Sequence, residues 1–288
     1  MSIQVTLHIL MDNQPAPGRE EEGLVCENGF SCLVTVTENG RQHKLLFDTG
    51  DSGRFLQNAA QLGLDLSAVE YVALSHAHYD HTRGFLAFAG MGYDYKLLVH
   101  RYFFTPKYWD QEHSYLYVGN AFGQEYITRH HIACAMISHQ THPVWEEGHT
   151  YLISAFDRTC PFEPLDSCQL QSRGGEYCLD DFREEMALVI EGADGLVVLS
   201  GCSHSGPVNI CQTAARRFGK PVKAFVGGTH LIAADEERAA KTIEYFNRSG
   251  IETVGVCHCT GELGLAAFAD HCPHSQHIGV GTVLRFEI

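Results

Sequence analysis

Six consecutive residues, His76-Ala77-His78-Tyr79-Asp80-His81, carry three imidazoles and a carboxylate directly behind the apolar run at 72–74. A chain that gathers so many metal donors at the end of a buried strand has few folds open to it. Imidazole nitrogen and carboxylate oxygen together suit zinc, iron or manganese, and a short loop can aim His76 and His78 at one ion and Asp80 and His81 at a second. The alternative, a solvated His-rich loop, sits poorly with a β-rich segment (69–75) that stops where the donors begin. Chemistry at the carboxyl end of such a strand belongs to layered α/β proteins.

The surrounding sequence fits that class. Strand patterns occur at 3–11, 31–37 and 44–47, with a Pro/Gly/Glu-rich loop at 15–23 after the first and Asn39-Gly40 as a hairpin turn before the last. A helix is expected at 52–62, where Phe55, Leu56, Ala59, Ala60 and Leu62 recur near the helical period. Strands at 186–191, 196–200, 222–226 and 254–257 then alternate with helices after Pro207 and at 234–247. Two strand-rich halves, each carrying helices, predict one α/β domain over 1–288, a four-layered αββα sandwich. The stretch at about 104–181, which holds both tryptophans, reads as a loop-rich insertion over the site.

Composition narrows the partners. A formal charge of −15 argues against nucleic acid, whose binding is driven by Lys and Arg displacing counterions. No segment approaches the roughly 18 uncharged apolar residues of a membrane helix. The N-terminus lacks a basic n-region and a small-residue cleavage site, so it is read as a first strand and a cytoplasmic location is expected. Eleven cysteines, an odd number in a chain of 288 residues, read as reduced thiols rather than a disulfide framework. His271-Cys272-Pro273-His274 lacks a second Cys pair and reads as coincidence.

Residues 75–84, SHAHYDHTRG, resemble the HxHxDH signature of the metallo-β-lactamase superfamily, and LFDTG at 46–50 resembles the segment before it. Four blocks resemble more narrowly the branch of 7,8-dihydropterin-6-methyl-4-(β-D-ribofuranosyl)aminobenzene 5′-phosphate synthases: Asn28-Gly29-Phe30-Ser31 with LFDTG, SHAHYDHT, SGCSHSGPVNI at 200–210, and GGTHL with CHCTG at 227–231 and 257–261. Arg83 stands where that branch usually has glycine, and Asn28 where it often has histidine.

The resemblance implies two divalent ions, zinc first, with manganese, iron or magnesium as alternatives, held by His76, His78, Asp80, His81, His204 and His258. It implies that Asp48 orients ligands from beneath the metal loop. Cys202 stands near where many relatives have a bridging Asp; a thiolate there could ligate zinc, and the reading adopted is a small buried residue behind the ligands. His230 follows an apolar strand and paired glycines that let backbone approach a ligand closely, and is read as a substrate contact or proton-transfer group, catalytic with Asp80. Gly228 and Thr229 are expected to touch substrate, as is Arg83, with Arg101 or Lys107 as further local positive charge. The aromatic run from Tyr102 to Tyr117 serves equally as a pocket wall, a packed core or a homo-oligomer contact.

The expected function is a metal-dependent hydrolase acting on a phosphorylated, anionic small molecule. The branch resemblance keeps two alternatives open: a transferase joining a dihydropterin-methyl diphosphate to a ribofuranosyl aminobenzene phosphate, and a metal-dependent ligand sensor without turnover.

Overall fold

The computed structural model describes residues 2–112, 114–146 and 148–288. Among them the strands form two sheets of seven and one of four. The first large sheet runs, edge to edge, Val283–Glu287, Ile3–Met11, Ser31–Glu38, Arg41–Phe47, Tyr71–Ala73, Lys96–His100 and Cys134–Ile137. Its first four strands are antiparallel and its last four parallel. The second runs Ser275–His277, Thr253–Cys257, Val222–Gly228, Leu196–Leu199, Ala187–Glu191, Thr150–Ile153 and Thr141–Pro143, parallel over its first four strands and antiparallel over the rest.

Side-chain alternation shows why the sheets stack. In Ile3–Met11, Ile3, Val5, Leu7 and Ile9 point into a core shared with Leu188, Ile190, Val197 and Leu199 of the second sheet. Leu33, Leu46, Leu97 and Val99 point the other way, onto Phe55, Ala59, Phe85 and Phe88. Val189, Val198 and Phe225 face outward from the second sheet onto Ile210, Ala214, Ile243 and Phe268. Strands buried on both faces read as continuous apolar runs, and three apolar layers between four structural layers give the αββα sandwich.

The turns follow their residues. Asn39 and Gly40 both hold positive φ (51° and 77°), as a two-residue hairpin between Glu38 and Arg41 requires. Helix Pro207–Phe218 starts with proline and stops at Gly219 in the left-handed conformation. Helix Glu236–Arg248 is capped by Asp235, whose side chain accepts the Arg238 N–H at 2.8 Å.

The 104–181 stretch is more regular than its composition suggests. Among its described residues are the four-stranded antiparallel sheet of Glu176–Leu179, Gln169–Arg173, Lys107–Asp110 and Tyr115–Tyr117, helix Gln124–Arg129, and strands that complete both large sheets. Short strands broken by Gly, Pro and His conceal their period from a reading by alternation. Tyr108, Trp109, Tyr115 and Tyr117 lie on the small sheet, and Phe103 and Phe104 pack on Phe122 instead. All eleven cysteines are free thiols. No helix among the described residues is long and apolar enough to cross a membrane.

Candidate metal centre

Every candidate site residue leaves the carboxyl end of a strand where one sheet faces the other. Asp48 follows Arg41–Phe47, the segment 76–81 follows Tyr71–Ala73, Cys202 and His204 follow Leu196–Leu199, His230 follows Val222–Gly228, and His258 follows Thr253–Cys257. Both sheets thus deliver donors to one place, although the donors lie up to 182 residues apart (76 to 258).

Two groups of donors face each other there. In the first, His76, His78 and His204 bring ligand atoms within 4.8 Å of one another. The Nε2 atoms of all three are buried with no hydrogen-bond partner, a costly arrangement unless something else binds them. Burial pushes all three imidazoles below their ordinary pKa, His78 to about 3 although the Asp80 carboxylate opposes the shift there. The neutral form they are driven to is the one a metal requires. In the second group, Asp80, His81 and His258 converge. His258 Nε2 is 3.3 Å from Asp80 Oδ2 and 3.1 Å from His81 Nε2. Burial acts to raise the Asp80 carboxyl, but the facing imidazoles outweigh it and hold the group below the usual carboxylate range.

Hydrogen bonds on the far side of each ring fix which nitrogen faces the centre. Asp48 Oδ2 accepts from His81 Nδ1 at 2.7 Å and from Ser75 Oγ at 2.7 Å, and Ser75 Oγ lies 2.9 Å from His76 Nδ1. One fully buried carboxylate therefore orients a ligand in each group. Asn13 Oδ1 accepts from His258 Nδ1 at 2.7 Å, and Asp12 accepts the His258 backbone N–H. Glu185 accepts the backbone N–H groups of His204 and Ser205, and the Phe182 ring stacks on His204 at 4.0 Å. Asn28 Nδ2 reaches Asp80 Oδ2 at 3.2 Å. Among these supports, Asp12, Asn13, Phe182 and Glu185 carry no motif of their own. Only their places at strand ends could have marked them.

The backbone is forced to deliver the donors. Asp48, Ser203, His230 and His258 all hold left-handed φ, between 49° and 60°, a region that favours glycine.

Cys202 is a small buried residue, and its Sγ is 3.1 Å from His81 Nε2, within donor range of His76 and His81. Several expected contacts are placed elsewhere. Thr229 is fully buried and bonded to Thr260, and Gly228 packs against Cys259, so neither offers a surface to substrate. Arg83 is paired with Asp51 at 2.5 Å and lies over the Tyr79 ring, at the rim rather than in the centre. Lys107 is sealed between Asp180 and Glu184 and meets no solvent, and Arg101 lies over the Tyr102 ring. His230 stands 4.2 Å from the His204 ring and belongs to neither donor group.

The donor set fits a divalent metal: unpartnered buried imidazoles, a carboxylate held ionised and ring tautomers fixed from behind. Likeness to known proteins agrees. The chain is 26% identical over 269 residues, 90% of both chains, to the 7,8-dihydropterin-6-methyl-4-(β-D-ribofuranosyl)-aminobenzene-5′-phosphate synthase of Methanocaldococcus jannaschii. It is similar to a solved structure described as a metal-dependent hydrolase of the β-lactamase superfamily, at 29% identity and a TM-score of 0.81, covering 97% of this chain and 98% of that one. Zinc-bound PqqB from Methylobacterium extorquens, 12% identical with a TM-score of 0.55 over 97% and 99% of the chains, shares the fold. The family model for the metallo-β-lactamase superfamily matches residues 28–214, more than half of the sequence, and the chain belongs to that superfamily.

Proposed function

We propose that this protein is a metal-dependent enzyme of hydrolase type, acting on a phosphorylated small molecule at a centre for two divalent ions. The observation that carries the reading is the pair of facing donor groups, His76, His78 and His204 against Asp80, His81 and His258, which together exceed what one tetrahedral ion takes. Ions held there supply Lewis acidity toward a phosphoryl oxygen. His230, lowered to about 4 by burial and then by Arg238, is neutral at pH 7 and presents an uncharged ring for hydrogen bonding beside the centre.

A cavity of about 810 Å³ lies beside the centre between helices Glu236–Arg248 and Gly261–His271, and His258 is the one metal donor among its described lining residues. Its described lining is aliphatic, with Asp12, Asp235, Glu236 and Glu262 and no Lys or Arg. A cytoplasmic location agrees with eleven free thiols.

A second reading has its own support. The archaeal relative covering 90% of the chain is named for joining a dihydropterin-methyl unit to a ribofuranosyl aminobenzene phosphate. One panel separates the two. Anaerobically prepared, zinc-loaded or iron-loaded protein is offered phosphomonoesters, diphosphates, a neutral lactam, and a pterin-methyl diphosphate with an aminobenzene acceptor. Phosphate release without acceptor supports the hydrolase, and acceptor-dependent pyrophosphate release supports the synthase. Turnover of the lactam alone overturns both.

A further inference from the structure

The buried cysteines of this chain fall into two kinds. Cys32 and Cys257 belong to the core between the sheets, and Cys211 and Cys272 to the core beneath the outer helices of the second sheet. There each thiol is a small apolar filler. Cys202 and Cys259 are also buried, at 4% and 8% exposure, yet belong to none of the three apolar cores. Their sulfurs face donors instead.

Cys202 Sγ lies 3.1 Å from His81 Nε2. It shares one donor group with His76 and His81 and another with His258 and Cys259. Because His76 also belongs to the three-imidazole group, the Cys202 sulfur stands between the two positions. Cys259 follows His258 in the short 3₁₀ turn His258–Thr260, with its sulfur 3.4 Å from the Cys202 carbonyl. The opposite wall is cut back for it: a Cβ on Gly228 would come within 2.5 Å of Cys259 Sγ. The neighbouring His76 Nε2, fully buried and without a partner, is aimed into the same space.

We propose that the second metal position is a sulfur site, in which Cys202 and Cys259 bind as thiolates with His81, His258 and Asp80, and Cys202 reaches both positions. This deepens the reading of a two-ion centre and rests on it. Thiolate donors select the ion: zinc, ferrous iron, cobalt or cadmium bind there, and magnesium or calcium, which prefer oxygen, do not. Both thiols must lose their protons on loading, so filling this position releases protons to solvent.

Cobalt reports the ligands independently of turnover. The purified full-length chain, stripped by chelator and titrated anaerobically with Co²⁺, is expected to develop near-ultraviolet thiolate-to-cobalt charge-transfer absorption together with the visible d–d bands. About a hundredfold excess of magnesium leaves that absorption intact. The Cys202→Ser, Cys259→Ser double variant loses the near-ultraviolet absorption and keeps the d–d bands of a cobalt ion at the three imidazoles. Should the double variant fail to fold, zinc-edge X-ray absorption of the unmodified protein decides, with a sulfur shell expected at about 2.3 Å. A cobalt-saturated wild type without charge-transfer absorption, persistence of that absorption in the double variant, or a shell of nitrogen and oxygen alone would each overturn the proposal. A sulfur shell in a protein inactive on every phosphorylated substrate leaves this inference standing while the functional reading fails.

Discussion

Asp48 Oδ2 lies 2.7 Å from His81 Nδ1, and through Ser75 the same oxygen reaches His76, so one carboxylate sets the ring orientation of a ligand in each donor group. Asp48→Asn keeps the volume but presents an amide that is a poorer acceptor for both partners. Zinc affinity should fall about 10–100-fold with the fold retained, read by competition with a chromophoric chelator. Affinity within about twofold of wild type would show that Asp48 does not orient the ligands.

The two donor groups should empty separately. His204→Ala removes one of three imidazoles from the first, and His258→Ala removes from the second the imidazole that groups both with Asp80 and His81 and with Cys202 and Cys259. Each variant is expected to bind about one zinc where wild type binds about two, with an unchanged far-ultraviolet spectrum, since the sheets rather than the loops form the apolar layers. Global unfolding of both on metal loss would instead assign the metal a structural role.

Lys107 is a buried cation between two buried carboxylates, 2.7 Å from both Asp180 and Glu184. Lys107→Met leaves those carboxylates facing each other without compensation. Urea denaturation should show a loss of about 3–5 kcal/mol. A loss under about 1 kcal/mol would mean that the carboxylates take up protons at little cost.

Glu163 accepts the backbone N–H groups of Val208 and Asn209 at the start of helix Pro207–Phe218, but burial dominates and raises its carboxyl from 4.5 to about 7. A folded pKa above the unfolded one means that the native state holds the extra proton. Its contribution is complete below pH 4.5 and is lost as pH rises through 7. Over that window wild-type stability should decline by about 3 kcal/mol from this group, and Glu163→Gln should flatten the decline. Equal slopes for the two proteins in thermal melts would contradict this.

Arg83 is spent on Asp51, with its side chain 48% exposed. Arg83→Gly should therefore leave kcat/KM on phosphoesters within about twofold, as expected for loss of a surface pair. A rise in KM of about tenfold would put the guanidinium on the substrate.

The donors at 76–81, His204 and His258 were legible because each follows an apolar run with no room for a polar side chain unless the site uses it. The sandwich was legible from strands apolar on both faces. Other features were hidden by long-range pairing. Strand Val283–Glu287 closes the first sheet on Ile3–Met11 from the far end of the chain, and Asp12 and Asn13 support His258 across about 245 residues. At Gly228 and Thr229 the paired glycines signal close backbone approach without saying to what. It serves the Cys259 sulfur and the Thr260 hydroxyl.

The left-handed backbone at Asp48, Ser203, His230 and His258 places foldability and chemistry in opposition along the same loops. At each position glycine would relieve about 1–2 kcal/mol of conformational strain while deleting a side chain the centre uses or a hydroxyl that ties its loops together. A library of this gene selected only for thermal stability should accumulate changes at these turns and drift away from metal binding. One selected under zinc limitation should hold them fixed and gather its stabilising substitutions in the outer helices.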